Sequence, residues 1–171
     1  MHPLQSLIRP IPDFPKPGIM YRDITPLLAN ASAMRQTIAE LVEPFRDTPI
    51  DRVVGMEARG FIFGALCAQE MAVGFVPLRK AGKLPHKTQN VSYELEYATN
   101  ELEVHIDALD PGHRVLLVDD LIATGGTAAA SCSLIERLGA TVIGCAFVIE
   151  LDALHGRAAL EGHLVHALMH F

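Results

Sequence analysis

Three features of this 171-residue chain predict an α/β fold with a parallel central sheet flanked by helices. Arg114–Asp119 and Thr141–Glu150 are apolar through their middles, as strands buried on both faces of a parallel sheet are. Asp51–Glu57 and Val73–Arg79 add two further strands. Segments of helical period lie between these strands, the alternation that produces parallel pairing. The length suits one domain over 1–171, and 50% hydrophobic with 20% charged residues excludes disorder.

Taken in order, the first ~30 residues are read as irregular, because Pro3, Pro10, Pro12, Pro15, Pro17 and Pro26 block long helices and central strands. Only a short helix over Pro3–Arg9 fits there. Asn30 or Ser32 caps the next helix, in which Met34, Ile38, Leu41, Val42 and Phe45 recur at helical spacing. Gly60–Met71 reads as a helix between the two strands at Asp51 and Val73, and a polar stretch covers Ala81–Val91. Tyr93–Tyr97 and Glu101–Ile106 alternate polar and apolar residues, which predicts a solvent-facing hairpin turning at Ala98-Thr-Asn100. A turn at Asp110-Pro-Gly112 leads into the Arg114 strand. Thr127–Leu138 is a small-residue helix closed by Gly139. A short helix over Asp152–Leu160 and a strand over Leu164–Leu168 complete the chain.

Composition removes several function classes. A net charge of −6 argues against a general nucleic-acid binder, which needs a basic face. No apolar run approaches the ~18 residues of a membrane span, so no membrane partner is expected. The opening MHPLQSLIRP lacks a signal-peptide layout, and the expected location is the cytoplasm. Three cysteines are too few and too scattered for a disulfide frame or a tetrahedral zinc site. Charge is nonetheless uneven: Arg52–Ser92 carries a net +4 inside this acidic chain. Such an island points to a small polyanionic ligand, with a solvated surface patch as the other reading. His163, His166 and His170 fall in a predicted strand, where i and i+3 face opposite ways; they are read as surface histidines without a metal.

The most informative stretch is Val115-Leu-Leu-Val-Asp-Asp-Leu-Ile-Ala-Thr-Gly-Gly-Thr127. A buried strand ends in two adjacent acids, and a loop of small residues then enters a helix. In such sheets ligands bind at the carboxyl ends of strands. Backbone N–H groups of Ala123–Thr127 are free to approach a phosphate ahead of a helix N-terminus. Asp119 and Asp120 would repel that phosphate but accept hydrogen bonds from sugar hydroxyls. Together these groups describe a ribose 5-phosphate; a plain strand-to-helix turn with an Asx cap is the alternative. The string is neither a Walker P-loop nor a dinucleotide fingerprint.

Val115–Thr127 resembles the phosphoribosyl-diphosphate signature of the type I phosphoribosyltransferases. Phe14-Pro-Lys-Pro-Gly-Ile-Met-Tyr-Arg-Asp-Ile-Thr-Pro26, Glu57-Ala-Arg-Gly-Phe61, Arg79-Lys-Ala-Gly-Lys-Leu-Pro85 and Tyr93-Glu-Leu-Glu-Tyr97 narrow the resemblance to members that use adenine. It spans about Phe14 to Glu150, with the motifs in the family's order.

The resemblance implies a parallel-sheet domain with an N-terminal segment and a β-hairpin hood, the hood and base-site elements being approximately 1–30 and 81–106. It implies transfer of adenine to 5-phospho-α-D-ribosyl 1-diphosphate, giving AMP and diphosphate in purine salvage. Asp119 and Asp120 would hold the ribose hydroxyls, and Ala123, Thr124, Gly125, Gly126 and Thr127 the 5-phosphate. Glu57, Ala58, Arg59, Arg79, Lys80 and Lys83 would face the diphosphate. Relatives often carry a non-proline cis peptide in the Glu57-Ala58 loop.

Met20, Tyr21 and Arg22 would read and stack on adenine, with Leu121 over the other purine face. Glu96 and Tyr97 match the catalytic hood, where Glu96 would manage proton transfer on the purine. Magnesium would arrive on the substrate with no direct protein ligand, and the protein would be a homodimer. Rival readings are transfer to an oxopurine and a phosphoribosyl-diphosphate sensor that binds nucleic acid.

Overall fold

A computed structural model describes residues 2–95 and 98–171, with side chains described outside 94–99. Among the described residues nine strands and four α-helices follow one another, with short 3-10 turns between some of them. Strands β1 (Arg9–Ile11) and β2 (Tyr21–Asp23) pair antiparallel as a separate two-stranded sheet. The prolines here predict irregular chain, and this pairing departs from that expectation. Pro10 sits in an edge strand of three residues, a place where a missing N–H is tolerated.

Helices α1 (Thr25–Leu28) and α2 (Ala31–Val42) come next. Asn30 caps α2, its Oδ1 accepting the N–H groups of Ser32 and Ala33 at 3.1 and 3.0 Å. Then follow β3 (Arg52–Met56), α3 (Gly60–Glu70), β4 (Gly74–Lys80), β5 (Thr88–Leu95), β6 (Ala98–His105), β7 (Arg114–Ile122), α4 (Gly126–Arg137), β8 (Thr141–Glu150) and β9 (Leu164–His170).

The main sheet runs β5-β6-β4-β3-β7-β8-β9. Its pairs β4–β3, β3–β7, β7–β8 and β8–β9 are parallel, and the β5–β6 hairpin joins antiparallel at the β4 edge. Side chains of β7 alternate between two cores, Val115 and Leu117 on the α4 side, Leu116 and Val118 on the side of α2 and α3. Both cores need β7 apolar throughout, which explains its unbroken run. At the start of the sheet, Arg114 donates to Asp51 at 2.9 Å from both Nε and Nη2, clamping β7 to the entry of β3. Cys132 and Cys145, distant in sequence, meet as buried thiols with sulfurs 3.7 Å apart.

The hairpin departs from its expectation twice. Its strands extend to Leu95 and resume at Ala98, so Ala98, Thr99 and Asn100 belong to β6, paired with Leu95, Glu94 and Tyr93. One face is also internal: Val91, Leu102 and Val104 are buried with the α4-side core. Glu103 is buried as well, its Oε1 accepting the N–H groups of Lys83 and Leu84 at 2.8 Å each. That carboxylate orders the loop after β4, and its alternation with Leu102 and Val104 made it read as solvent-facing. Over Asp152–Leu160 the expected helix is two 3-10 turns, broken where His155 takes φ +50°.

Candidate active site

The carboxyl ends of β3 and β7 open on a cleft of about 420 Å3. Its lining includes Glu57, Ala58 and Arg59 from the β3–α3 loop, Lys80, Asp119–Ile122, and the loop Ala123–Ala128. Parallel neighbours place these loops side by side, because every βα connection leaves from the same end of the sheet.

The β7–α4 loop is shaped by Gly125, which has φ +81° and precedes the first turn of α4. A Cβ at Gly125 would fall on the carbonyl oxygen of Gly156 and 2.9 Å from Ala159 Cβ. The 3-10 turn Gly156–Leu160 therefore backs the loop directly. Small residues here leave the backbone N–H groups at the N-terminus of a twelve-residue helix open to the cleft, a setting that favours an anion. Thr127 Oγ1 donates to Tyr93 Oη at 3.3 Å, joining the helix start to β5.

Beside that loop, Arg59 Nε donates to Asp120 Oδ2, and Arg59 Nη1 donates to Tyr21 Oη at 2.9 Å. One guanidinium thus links β7 to the N-terminal strand β2. Asp119 Oδ1 accepts the Asp120 N–H at 2.8 Å. Burial first, and the neighbouring Asp120 charge second, hold the Asp119 carboxyl well above the usual carboxylate range. Gly60, the first residue of α3, is packed so closely that a Cβ would lie 2.6 Å from Asp119 Oδ1. The peptide Glu57–Ala58 is cis.

Of the sequence-predicted residues, Glu57, Ala58, Arg59, Lys80, Asp119, Asp120, Leu121, Ala123, Thr124, Gly125, Gly126 and Thr127 share this cleft. Arg79 and Lys83 stand outside its lining: Arg79 Nε donates to Glu57 Oε2 at 2.7 Å, and its Nη1 to the Lys83 carbonyl at 3.2 Å. Arg79 therefore reaches the site through Glu57. Met20 is exposed, Tyr21 adjoins through Arg59, and the Arg22 guanidinium turns away onto the Phe171 ring, 4.2 Å from its centroid. Glu96 and Tyr97 lie outside the described residues. Tyr93 and Asn100 also line the cleft and had no assigned role. Their signal was the β5–β6 register, which pairs them face to face.

The three histidines have separate partners: His163 lies near Glu136, His166 against the Glu40 carbonyl at 3.1 Å, and His170 against Asp152 at 2.9 Å. Among the described residues, Glu150, Asp152 and His170 approach metal-ligand spacing. Arg157 already donates to both Glu150 oxygens, at 2.8 and 2.7 Å. No described helix is long and apolar enough to cross a membrane.

Comparison with known proteins follows the same lines. The family model described as "Phosphoribosyl transferase domain" matches residues 21–166. An adenine phosphoribosyltransferase of Methylococcus capsulatus is 64% identical over 171 residues, covering 100% of both chains. The crystal structure of adenine phosphoribosyltransferase from Rhodothermus marinus superposes with a TM-score of 0.94 at 51% identity, covering 98% of this chain and 96% of that one. The Saccharomyces cerevisiae enzyme, complexed with D-2,5-dideoxy-2,5-imino-altritol 1,6-bisphosphate and adenine, gives a TM-score of 0.92 at 41% identity, covering 96% of each chain.

Proposed function

The chain belongs to the phosphoribosyl transferase family, and from that premise we propose how its cleft makes a nucleotide. It is a pentosyltransferase that joins adenine to 5-phospho-α-D-ribosyl 1-diphosphate, giving AMP and diphosphate in purine salvage. The observation that carries the site assignment is the juxtaposition at the end of β7. There an acid pair stands beside a left-handed glycine loop that opens onto a helix N-terminus.

In this reading Ala123–Thr127 wraps the 5-phosphate, and Asp119 and Asp120 take the ribose hydroxyls. Arg59 and Lys80 meet the diphosphate directly, and Arg79 positions Glu57 beside it. Lys83 joins them from the loop ordered by Glu103. Bond breaking at the ribosyl C1 passes through an oxocarbenium-like state, so fixed cations facing the leaving diphosphate stabilise the charge that develops there. Met20, Tyr21 and Arg22 present backbone groups to the adenine edge, with the Tyr21 ring on one purine face and Leu121 on the other. Glu96, beside Tyr97, handles the proton that the purine loses.

Magnesium bound with the substrate would supply neutralisation of the leaving-group charge. The donors fit that arrangement: Asp119, Asp120 and Glu57 are hard oxygen ligands, yet Arg59 and Arg79 already pair with two of them. In this reading one domain over 1–171 carries the whole activity and works as a cytoplasmic homodimer.

The test offers adenine, hypoxanthine, guanine and xanthine separately to the purified protein with magnesium and phosphoribosyl diphosphate. AMP from adenine alone is expected. An oxopurine nucleotide would overturn the base assignment while keeping the sugar-phosphate site, and no product with any base would overturn both.

A further inference from the structure

We propose that Phe171 is a positioning residue for the base site, holding Arg22 and through it the strand β2. This rests on the assignment of Met20–Arg22 to adenine and adds a residue to that site from the far end of the sequence. Strand β2 is not part of the seven-stranded sheet. Among the described residues it pairs only with the three-residue β1, a ladder too short to fix it alone. Its position therefore depends on its side chains. Tyr21 is held by Arg59 at 2.9 Å, and Asp23 by Arg9 at 3.0 Å and by Thr25 Oγ1 at 2.8 Å.

Arg22 has a different anchor. Its Nε is buried without a hydrogen-bond partner among the described residues, while its Cζ lies 4.2 Å from the Phe171 ring centroid. The guanidinium is held by a π-face, and a partly desolvated setting strengthens that contact. Phe171 is itself fixed: its N–H donates to the Glu150 carbonyl at 3.0 Å, and its oxygen accepts the Asp152 N–H at 2.9 Å. The ring projects from this fixed backbone at the ends of β8 and β9 and packs against the core on the side of α2 and α3. Without it Arg22 rehydrates, and adenine must order β2 as it binds, which weakens binding of the base alone.

Steady-state kinetics on the full chain test this. Phe171→Ala should raise KM for adenine about tenfold, or ~1.4 kcal/mol, with KM for phosphoribosyl diphosphate unchanged. Phe171→Tyr should restore the wild-type value, and Phe171→Leu should behave like the alanine variant. A Leu variant that matches wild type overturns the cation–π anchor. Both KM values rising together, with a lowered thermal midpoint, would show a structural role only. Tyr21→Ala separates the two levels. If it leaves KM for adenine unaltered, the base-site assignment fails; if it raises that KM while Phe171→Ala does nothing, only the role of Phe171 falls.

Discussion

At Asp119 the protein keeps a carboxylate whose ionisation burial opposes, with the Asp120 charge adding to the effect. Because the folded pKa lies above the unfolded one, the stabilising contribution of Asp119 is present at low pH and lost as pH rises through the folded value. Above the unfolded value the unfolded chain gives up this proton before the folded one does, so the acid weakens the fold as pH rises, a cost suited to a group that waits for sugar hydroxyls to donate to it. Asp119→Asn removes the charge and keeps the Oδ1 acceptor for the Asp120 N–H. Its thermal midpoint at neutral pH should exceed that of wild type, with the difference closing as pH falls toward ~4. Its kcat/KM for phosphoribosyl diphosphate should fall about ten- to hundredfold, the size of one charged hydrogen bond. Melting curves across pH, with kinetics on the same samples, check both parts. A variant less stable than wild type at neutral pH would refute the burial argument.

The β7–α4 loop is the element in which backbone conformation and chemistry coincide. Gly125→Ala places a side chain at φ +81° and against the Gly156 carbonyl. A non-glycine residue in such a conformation costs ~1–3 kcal/mol, and the loop must also move off the Gly156 turn. Denaturant melts should show that loss, and KM for phosphoribosyl diphosphate should rise at least about tenfold, since several N–H donors shift together. A stable variant with unaltered KM would remove the loop from phosphate binding. This element was legible in the sequence, because small residues after an acid pair at the end of an apolar strand have few other uses. The Gly156 turn behind it was not, because nothing local in Gly156–Leu160 reports that it packs on residues thirty positions earlier. The hairpin shows the same limit. Alternation around Glu103 marked a strand, but whether the polar face meets water or two backbone N–H groups depends on the loop folded over it. Likewise, the prolines of the first segment correctly excluded long elements, while pairing of Arg9–Ile11 with Tyr21–Asp23 depends on contacts that no local pattern records.

For the molecule as a whole, the cleft occupies one end of the sheet, and an apolar surface remains on the outer side of α2 and α3. A groove there is lined by Leu28, Met34, Ile38, Ile62 and Leu66, with Arg35 and Glu70 at its edge. Ile62 and Leu66 are 39% and 37% exposed, although α3 buries Phe63, Gly64, Cys67 and Ala68 on its other side. A helix apolar on both sides requires a second surface to cover it. The partner that fits the homodimer reading is another copy of the chain. A two-fold interface must be self-complementary, and Arg35 and Glu70 supply opposite charges on the same patch. The loop carrying Arg59 leads directly into α3, so covering this face also steadies one wall of the cleft. Sedimentation should therefore give twice the 18.6 kDa chain mass for wild type. Leu66→Lys, which buries a charge if the face is covered and only decorates it if it is not, should shift the protein to a single chain. A wild-type monomer would refute the homodimer, whereas a dimer that survives Leu66→Lys would place its interface on another surface.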